Sequence, residues 1–109
     1  LELMQSAAKS FIGTHDFTAF CSTDMREKNN MIRTIYNFDI KKSENIIEFV
    51  VTANGFLYNM VRIMIGTLLK INCGKIQSNS ISDIIKSKDR SRAGDTVPSC
   101  GLYLNKVFY

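Results

Sequence analysis

Apolar side chains recur at helical spacing in the first twelve residues of the chain. Gly13 follows directly, and glycine favours the end of a helix. The pattern therefore predicts an amphipathic helix over residues 2–12. Its apolar positions are Leu3, Met4, Ala7, Ala8, Phe11 and Ile12. Beyond it, Asp16 can cap a short turn that carries Phe17 and Phe20, two aromatic residues that we expect in the core.

The hydrophobic period changes to two over residues 33–54, which predicts a β-hairpin. In the first strand, Tyr36, Phe38 and Ile40 alternate with polar residues, so we expect all three on one face. The second strand, from Ile46 onward, alternates less strictly. The polar residues 43–45 between the two strands form the expected turn.

Helical spacing returns over residues 55–75 and predicts the best-defined helix of the chain, ended by Gly74. Its apolar positions are Leu57, Met60, Val61, Met64, Ile65, Leu68 and Leu69. A second, short helix is predicted over residues 79–88, with Ser80 and Asp83 as a weak capping box. A polar, basic loop follows, and residues 101–109 are predicted to form a last strand.

The order of these elements indicates the fold class. Strands and helices do not alternate strictly, which argues against a doubly wound parallel sheet. An α+β fold fits better, with an antiparallel sheet and helices packed on one of its faces. We expect the last strand to pair beside the hairpin in a small ferredoxin-like arrangement, and residues 1–109 to form a single domain.

Composition narrows the class of protein. A chain of 109 residues that is 45% hydrophobic can bury one core, and it is too apolar for a disordered tail. Its apolar runs are too short for a membrane-spanning helix, so we expect no membrane association. We see no secretory leader, and the chain starts without methionine inside a predicted helix, so we expect it to be cut from a longer protein.

Charge and cysteine content bear on partners. A net charge of +4 permits a polyanionic partner without requiring one. Three widely spaced cysteines and one histidine make a metal site improbable, because zinc sites usually need about four ligands in close pairs. The odd number of cysteines favours reduced thiols and a cytoplasmic protein, with an organelle as the alternative.

Arg62 is the most informative single residue, because it stands inside the apolar run of the long predicted helix. Helical spacing places Tyr58, Arg62 and Gly66 on one stripe. The guanidinium must reach water, a carboxylate or a phosphate. From spacing alone, an arginine that snorkels at the helix edge is the more common case. Gly66 costs the helix about 1 kcal/mol relative to alanine, which suggests a close approach by another strand or, slightly less favoured, by a substrate backbone.

Other polar residues carry weaker signals. His15 and Asp16 are adjacent, which favours a cap and a surface imidazole over a catalytic pair. The basic residues Lys86, Lys88, Arg90 and Arg92 could contact phosphates, or could serve equally well as cations near a helix C-terminus. The chain has no phosphate-binding glycine loop, zinc-protease motif or nucleophile elbow.

Four segments together are specific enough to indicate a family, namely HDFTAF, ANGFLYNMVRIMIGTLL, KDRSRAG and VPSCGLYLNKVFY. In this order and spacing they resemble the C-terminal half of the tRNA pseudouridine(38–40) synthases, over Ala7 to Tyr109. The resemblance implies isomerisation of uridine to pseudouridine in the anticodon stem-loop of tRNA, without a metal or organic cofactor. It also implies a homodimer that binds tRNA in basic clefts between its subunits, and a catalytic aspartate in an N-terminal motif that these 109 residues lack.

The resemblance assigns roles to individual positions. Arg62 matches the arginine that pairs with the catalytic aspartate, and Leu102 matches an apolar residue that lines the uracil pocket. Arg90, Lys88 and His15 are candidates for contact with RNA. Arg90 could instead make an interdomain contact, Lys88 lies in the same basic loop, and His15 belongs to the HDF segment, with a positioning role. We therefore expect the chain alone to be inactive and to need the N-terminal half. A non-catalytic RNA-binding module and a ferredoxin-like interaction domain remain the alternatives.

Overall fold

A three-stranded antiparallel sheet lies at the centre of the computed structural model, which describes residues 2–21, 31–44, 46–57 and 59–96. The helices are α1 (Glu2–Ala8), α2 (Met60–Asn72) and α3 (Ile81–Ser87), and the strands are β1 (Gly13–Asp16), β2 (Ile32–Ser43) and β3 (Ile46–Ala53). Short 3₁₀ turns cover Lys9–Phe11, Thr18–Phe20 and Arg90–Arg92. The α+β fold class is confirmed. The predicted last strand, and the ferredoxin-like arrangement that depends on it, lie outside the described residues.

Strand β1 is a feature that the local pattern did not predict. The helix expected over residues 2–12 ends at Ala8 and continues as a 3₁₀ turn, and Gly13 then starts β1 with a φ of +112°. The strand pairs with β2 from Gly13 opposite Ile35 to Asp16 opposite Ile32. Four residues carry too little periodicity to reveal a strand, so the pairing with β2 decides the conformation.

The expected face of β2 is wrong at one position. Phe38 and Ile40 are buried as predicted, whereas Tyr36 is 54% exposed and Ile35 is buried in its place. The cause is an irregularity in the β2–β3 register between Ile35 and Asn37, where one extra residue enters β2. A bulge of this kind breaks strict alternation, so the side chains before it point to the opposite face from the one that period two predicts.

The helices cover the inner face of the sheet and form the core with it. The buried residues include Met4, Ala7, Ala8, Phe11, Phe17, Phe20, Ile35, Phe38, Ile40, Met60, Ile63, Met64, Leu68, Ile71, Ile81, Ile84 and Ile85. Phe17 and Phe20 are fully buried, as predicted. The capping box of α3 is not formed, because the Ser80 hydroxyl donates to the Gln77 carbonyl instead. No helix in the described part of the chain is long and apolar enough to cross a membrane.

Candidate functional site

Arg62 lies in the first turn of α2, and its side chain is half-buried. Its Nη1 donates a hydrogen bond to Asn59 Oδ1 at 2.8 Å. Residues three apart on a helix are neighbours, so this contact follows from the local sequence. Gly66 follows Arg62 by one turn, whereas Tyr58, the third residue of the expected stripe, lies outside the described residues.

Asn59 precedes the helix in an unusual conformation. Its backbone is left-handed, with φ 59° and ψ 11°, and its carbonyl accepts the hydrogen bond from the Ile63 N–H at 2.9 Å. Asparagine commonly caps a helix through its side chain, a contact worth about 0.5–2 kcal/mol, but the N-cap backbone is then usually extended. Here the side chain makes no cap hydrogen bond and contacts Arg62 instead.

The close approach predicted at Gly66 is confirmed, and the approaching group is the chain's own backbone. A Cβ added at Gly66 would overlap the Asp95 carbonyl oxygen, and one added at Gly94 would lie 2.5 Å from the Thr67 nitrogen. The partner is thus a loop, rather than the predicted strand or substrate backbone. We call residues 93–96 the docking loop.

The Thr67 side chain holds the docking loop on α2, and Arg90, from the preceding turn, forms hydrogen bonds with the loop itself. The buried Thr67 hydroxyl donates to the Ile63 carbonyl and accepts from the Gly94 N–H, both at 2.8 Å. Arg90 donates to the Gly94 carbonyl at 2.8 Å and to the Thr96 hydroxyl at 3.1 Å. A guanidinium has five N–H donors, so these contacts occupy only some of them.

Lys88 and Asp16 meet at the end of β1. Lys88 Nζ lies 3.7 Å from Asp16 Oδ2, and the lysine side chain is 60% exposed. Asp16 accepts hydrogen bonds from the backbone and the hydroxyl of Thr18, so the predicted cap of the short turn is confirmed. Burial raises the pKa of Asp16, but the Thr18 hydrogen bonds and the nearby Lys88 charge outweigh it, so that the pKa lies below its ordinary value.

His15 lies next to Asp16 on β1, and its imidazole is turned back along its own strand. Nε2 is 3.1 Å from the Ile12 carbonyl, and the ring packs edge-on against Phe17. Lys88 thus contacts the Asp16 carboxylate and His15 the Ile12 carbonyl, whereas Arg90 is directed toward the docking loop. Leu102 lies outside the described residues. Within the described ranges no group of three or more His, Cys, Asp or Glu residues could hold a metal ion.

Comparison with known proteins identifies the family of the chain. The family model described as "tRNA pseudouridine synthase" matches residues 7–109. The chain belongs to the tRNA pseudouridine synthase family. It is 50% identical over 109 residues to tRNA pseudouridine synthase A of Thermoanaerobacter sp. (strain X514), 52% over 108 residues to that of Clostridium acetobutylicum and 46% over 108 residues to that of Bacillus subtilis (strain 168).

The matches with these synthases cover 97–100% of the chain and 42–44% of each relative. The chain thus spans less than half the length of the tRNA pseudouridine synthases that it matches. The sequence pattern did not predict the contacts of several residues in this region, namely Asn59, Thr67, Gly94 and Asp95. One signal was available, because Thr67 is a polar residue beside Gly66 within the apolar part of the helix.

Proposed function

We propose that the intact protein isomerises uridine to pseudouridine at positions 38–40 of the tRNA anticodon stem-loop, and that these 109 residues form the C-terminal half of its catalytic unit. The family match over residues 7–109 is the observation that carries the proposal. The named tRNA pseudouridine synthases that are about half identical to the whole chain support it.

The reaction moves the bond between the ribose and the base. The C1′–N1 bond breaks, the uracil turns, a C1′–C5 bond forms and the proton on C5 leaves to solvent while N1 gains one. Substrate and product are isomers, so the reaction needs no oxidant or reductant. The uridine must leave its stack to be reached, and a carboxylate acts on it as nucleophile or base.

We place Arg62 beside that carboxylate, a catalytic aspartate from the N-terminal half of the same enzyme. In a pocket that excludes water, a guanidinium favours the ionised form of aspartate and lowers its pKa. Its planar fork also orients the carboxylate better than a lysine would. The half-buried position of Arg62 at the start of α2 supports this role. Leu102 is proposed to cover the uracil as an apolar wall.

Lys88, Arg90 and His15 are proposed to contact the tRNA. The exposed Lys88 ammonium is the best placed of them for a phosphate. Replacing it in Lys88→Ala should reduce the slope of log affinity against log salt by about one. An unchanged slope with unchanged affinity would remove Lys88 from the interface. We also propose a cytoplasmic homodimer, with the tRNA bound in clefts between the subunits.

Tritium release from tRNA labelled at C5 of uridine tests the proposed reaction. The intact protein should release tritium from a wild-type transcript and release none when cytidine replaces uridine at positions 38–40. The 109-residue chain alone should release none, because we place the aspartate in the other half. Turnover by the pure chain would refute the division of the site, and release from the cytidine transcript would refute the target positions.

An RNA-binding module without catalysis is the second candidate. The exposed Lys86, Lys88 and Arg92 favour it, because they present positive charge to solvent. A module of this kind would bind tRNA with a steep salt dependence and release no tritium even as the intact protein. Tritium release therefore separates the two candidates.

A further inference from the structure

The contact between Asn59 and Arg62 has two features that a helix cap alone would not explain. The side-chain amide oxygen of Asn59 accepts a hydrogen bond from the Arg62 guanidinium at 2.8 Å, and the side chain makes no cap hydrogen bond. The backbone of Asn59 is left-handed, with φ 59°. Asparagine is one of the few residues other than glycine that adopt this conformation readily.

The chemistry of the amide suits an arginine that must pair with another group. A carboxylate at position 59 would form an ion pair with Arg62 inside this chain. That ion pair would compete with the pairing of Arg62 with the proposed catalytic aspartate of the N-terminal half. An amide oxygen accepts the same hydrogen bond without a charge. It therefore restrains the guanidinium without adding a negative charge beside it.

Restraint matters because a guanidinium is planar. A carboxylate can be bound by two parallel N–H groups only if it approaches in the guanidinium plane. An arginine side chain has several rotatable bonds, and ordering them costs conformational entropy. Fixing the side chain beforehand avoids this entropic cost during the reaction. One hydrogen bond from Nη1 to Asn59 limits the rotation of this plane.

We propose that Asn59 is a positioning residue, whose amide oxygen holds the Arg62 guanidinium in the orientation that the catalytic carboxylate requires. The inference rests on the proposed function of Arg62. It assigns to Asn59 no contact with the substrate. Its effect on the reaction should therefore pass through Arg62.

The test uses the intact synthase and tritium release from tRNA labelled at C5. Asn59→Gly keeps the left-handed backbone and removes the amide, and Glu44→Gly is the matched control, because Glu44 has φ 53° in the exposed hairpin turn. Asn59→Gly should lower kcat about 10- to 100-fold. KM for tRNA should stay within about twofold, and Tm should change no more than in Glu44→Gly.

A double-mutant comparison separates positioning from a merely structural effect. In an Arg62→Lys background, Asn59→Gly should lower kcat by less than about threefold, because an ammonium has no plane to orient. A kcat of Asn59→Gly within about twofold of wild type would overturn the inference, as would an equal loss in both backgrounds. Wild-type kcat in Arg62→Ala would instead overturn the proposed function.

Discussion

Gly66 and Asp95 are in backbone contact, so closely that a Cβ added at Gly66 would overlap the Asp95 carbonyl oxygen. At this point the helix that carries Arg62 and the docking loop touch backbone to backbone. Gly94 completes the contact from the loop side, since a Cβ there would lie 2.6 Å from the Gly66 carbonyl carbon. This contact fixes the distance between α2 and the docking loop.

Gly66→Ala should destabilise the protein. Alanine is normally better than glycine in a helix by about 1 kcal/mol, but here the methyl group meets backbone that cannot rotate away. Overpacking of this kind costs about 1–3 kcal/mol, so we expect a lower Tm in thermal unfolding. Ser82→Ala, at an exposed position of α3, is the control and should leave Tm nearly unchanged. A Tm for Gly66→Ala at or above wild type would show that the loop is not docked as described.

Thr67→Val should cost about 1–3 kcal/mol of unfolding free energy, because it leaves the buried Gly94 N–H without its acceptor. The valine has nearly the same shape, so the loss isolates the hydroxyl. Thr67→Ser keeps the hydroxyl and should lose much less unfolding free energy, as measured by denaturant unfolding. Equal losses in the two variants would mean that packing, and not the hydrogen bond, holds the loop.

Arg90→Ala should weaken the docking loop. It removes two hydrogen bonds, to the Gly94 carbonyl and the Thr96 hydroxyl, and should cost about 1 kcal/mol or more in a half-buried setting. The exposed Arg92 is a matched control from the same turn, and Arg92→Ala should change the stability by less than about 0.5 kcal/mol. If both variants unfold at the wild-type Tm, Arg90 has no role in holding the loop.

Asp16 should make the stability depend on pH in the acid range. Its pKa is below the ordinary value in the folded state, so folding favours the ionised form. That stabilisation is complete above about pH 4 and is lost as the pH falls through the folded pKa. At pH 7 the Tm of Asp16→Asn should therefore be lower than that of wild type. This difference in Tm should shrink as the pH falls toward 3.

Asp39→Asn is the control for the pH series, because Asp39 is an exposed residue of β2 away from Lys88. It leaves the Asp16 contacts intact and should not remove their contribution to the pH dependence. A Tm gap between wild type and Asp16→Asn that stays constant from pH 7 to pH 3 would contradict the assignment.

The parts of the fold that local patterns predicted are those with long, regular periods. α2 was predicted because apolar residues repeat over more than three turns, and Gly66 was singled out because a glycine inside such a helix has a cost. The identity of its partner could not follow, because Asp95 is 29 residues away in the sequence. The exposed Tyr36 was missed for a related reason, since the bulge depends on pairing with β3.

The site was predicted to a similar extent. An arginine within an apolar run stood out from the sequence, and the family resemblance supplied its expected partner. The left-handed backbone of Asn59 and its hydrogen bond to Arg62 depend on the local turn before α2, which periodicity does not describe.

Single-turnover measurements on Arg62 variants of the intact protein show whether this arginine acts in the proposed reaction. Single-turnover tritium release from C5-labelled tRNA should fall at least about 100-fold in Arg62→Ala, with tRNA affinity within about threefold of wild type. Arg92→Ala, an exposed arginine elsewhere in the chain, is the control for loss of one positive charge and should keep the single-turnover rate. A wild-type rate in Arg62→Ala would show that Arg62 has no part in the reaction.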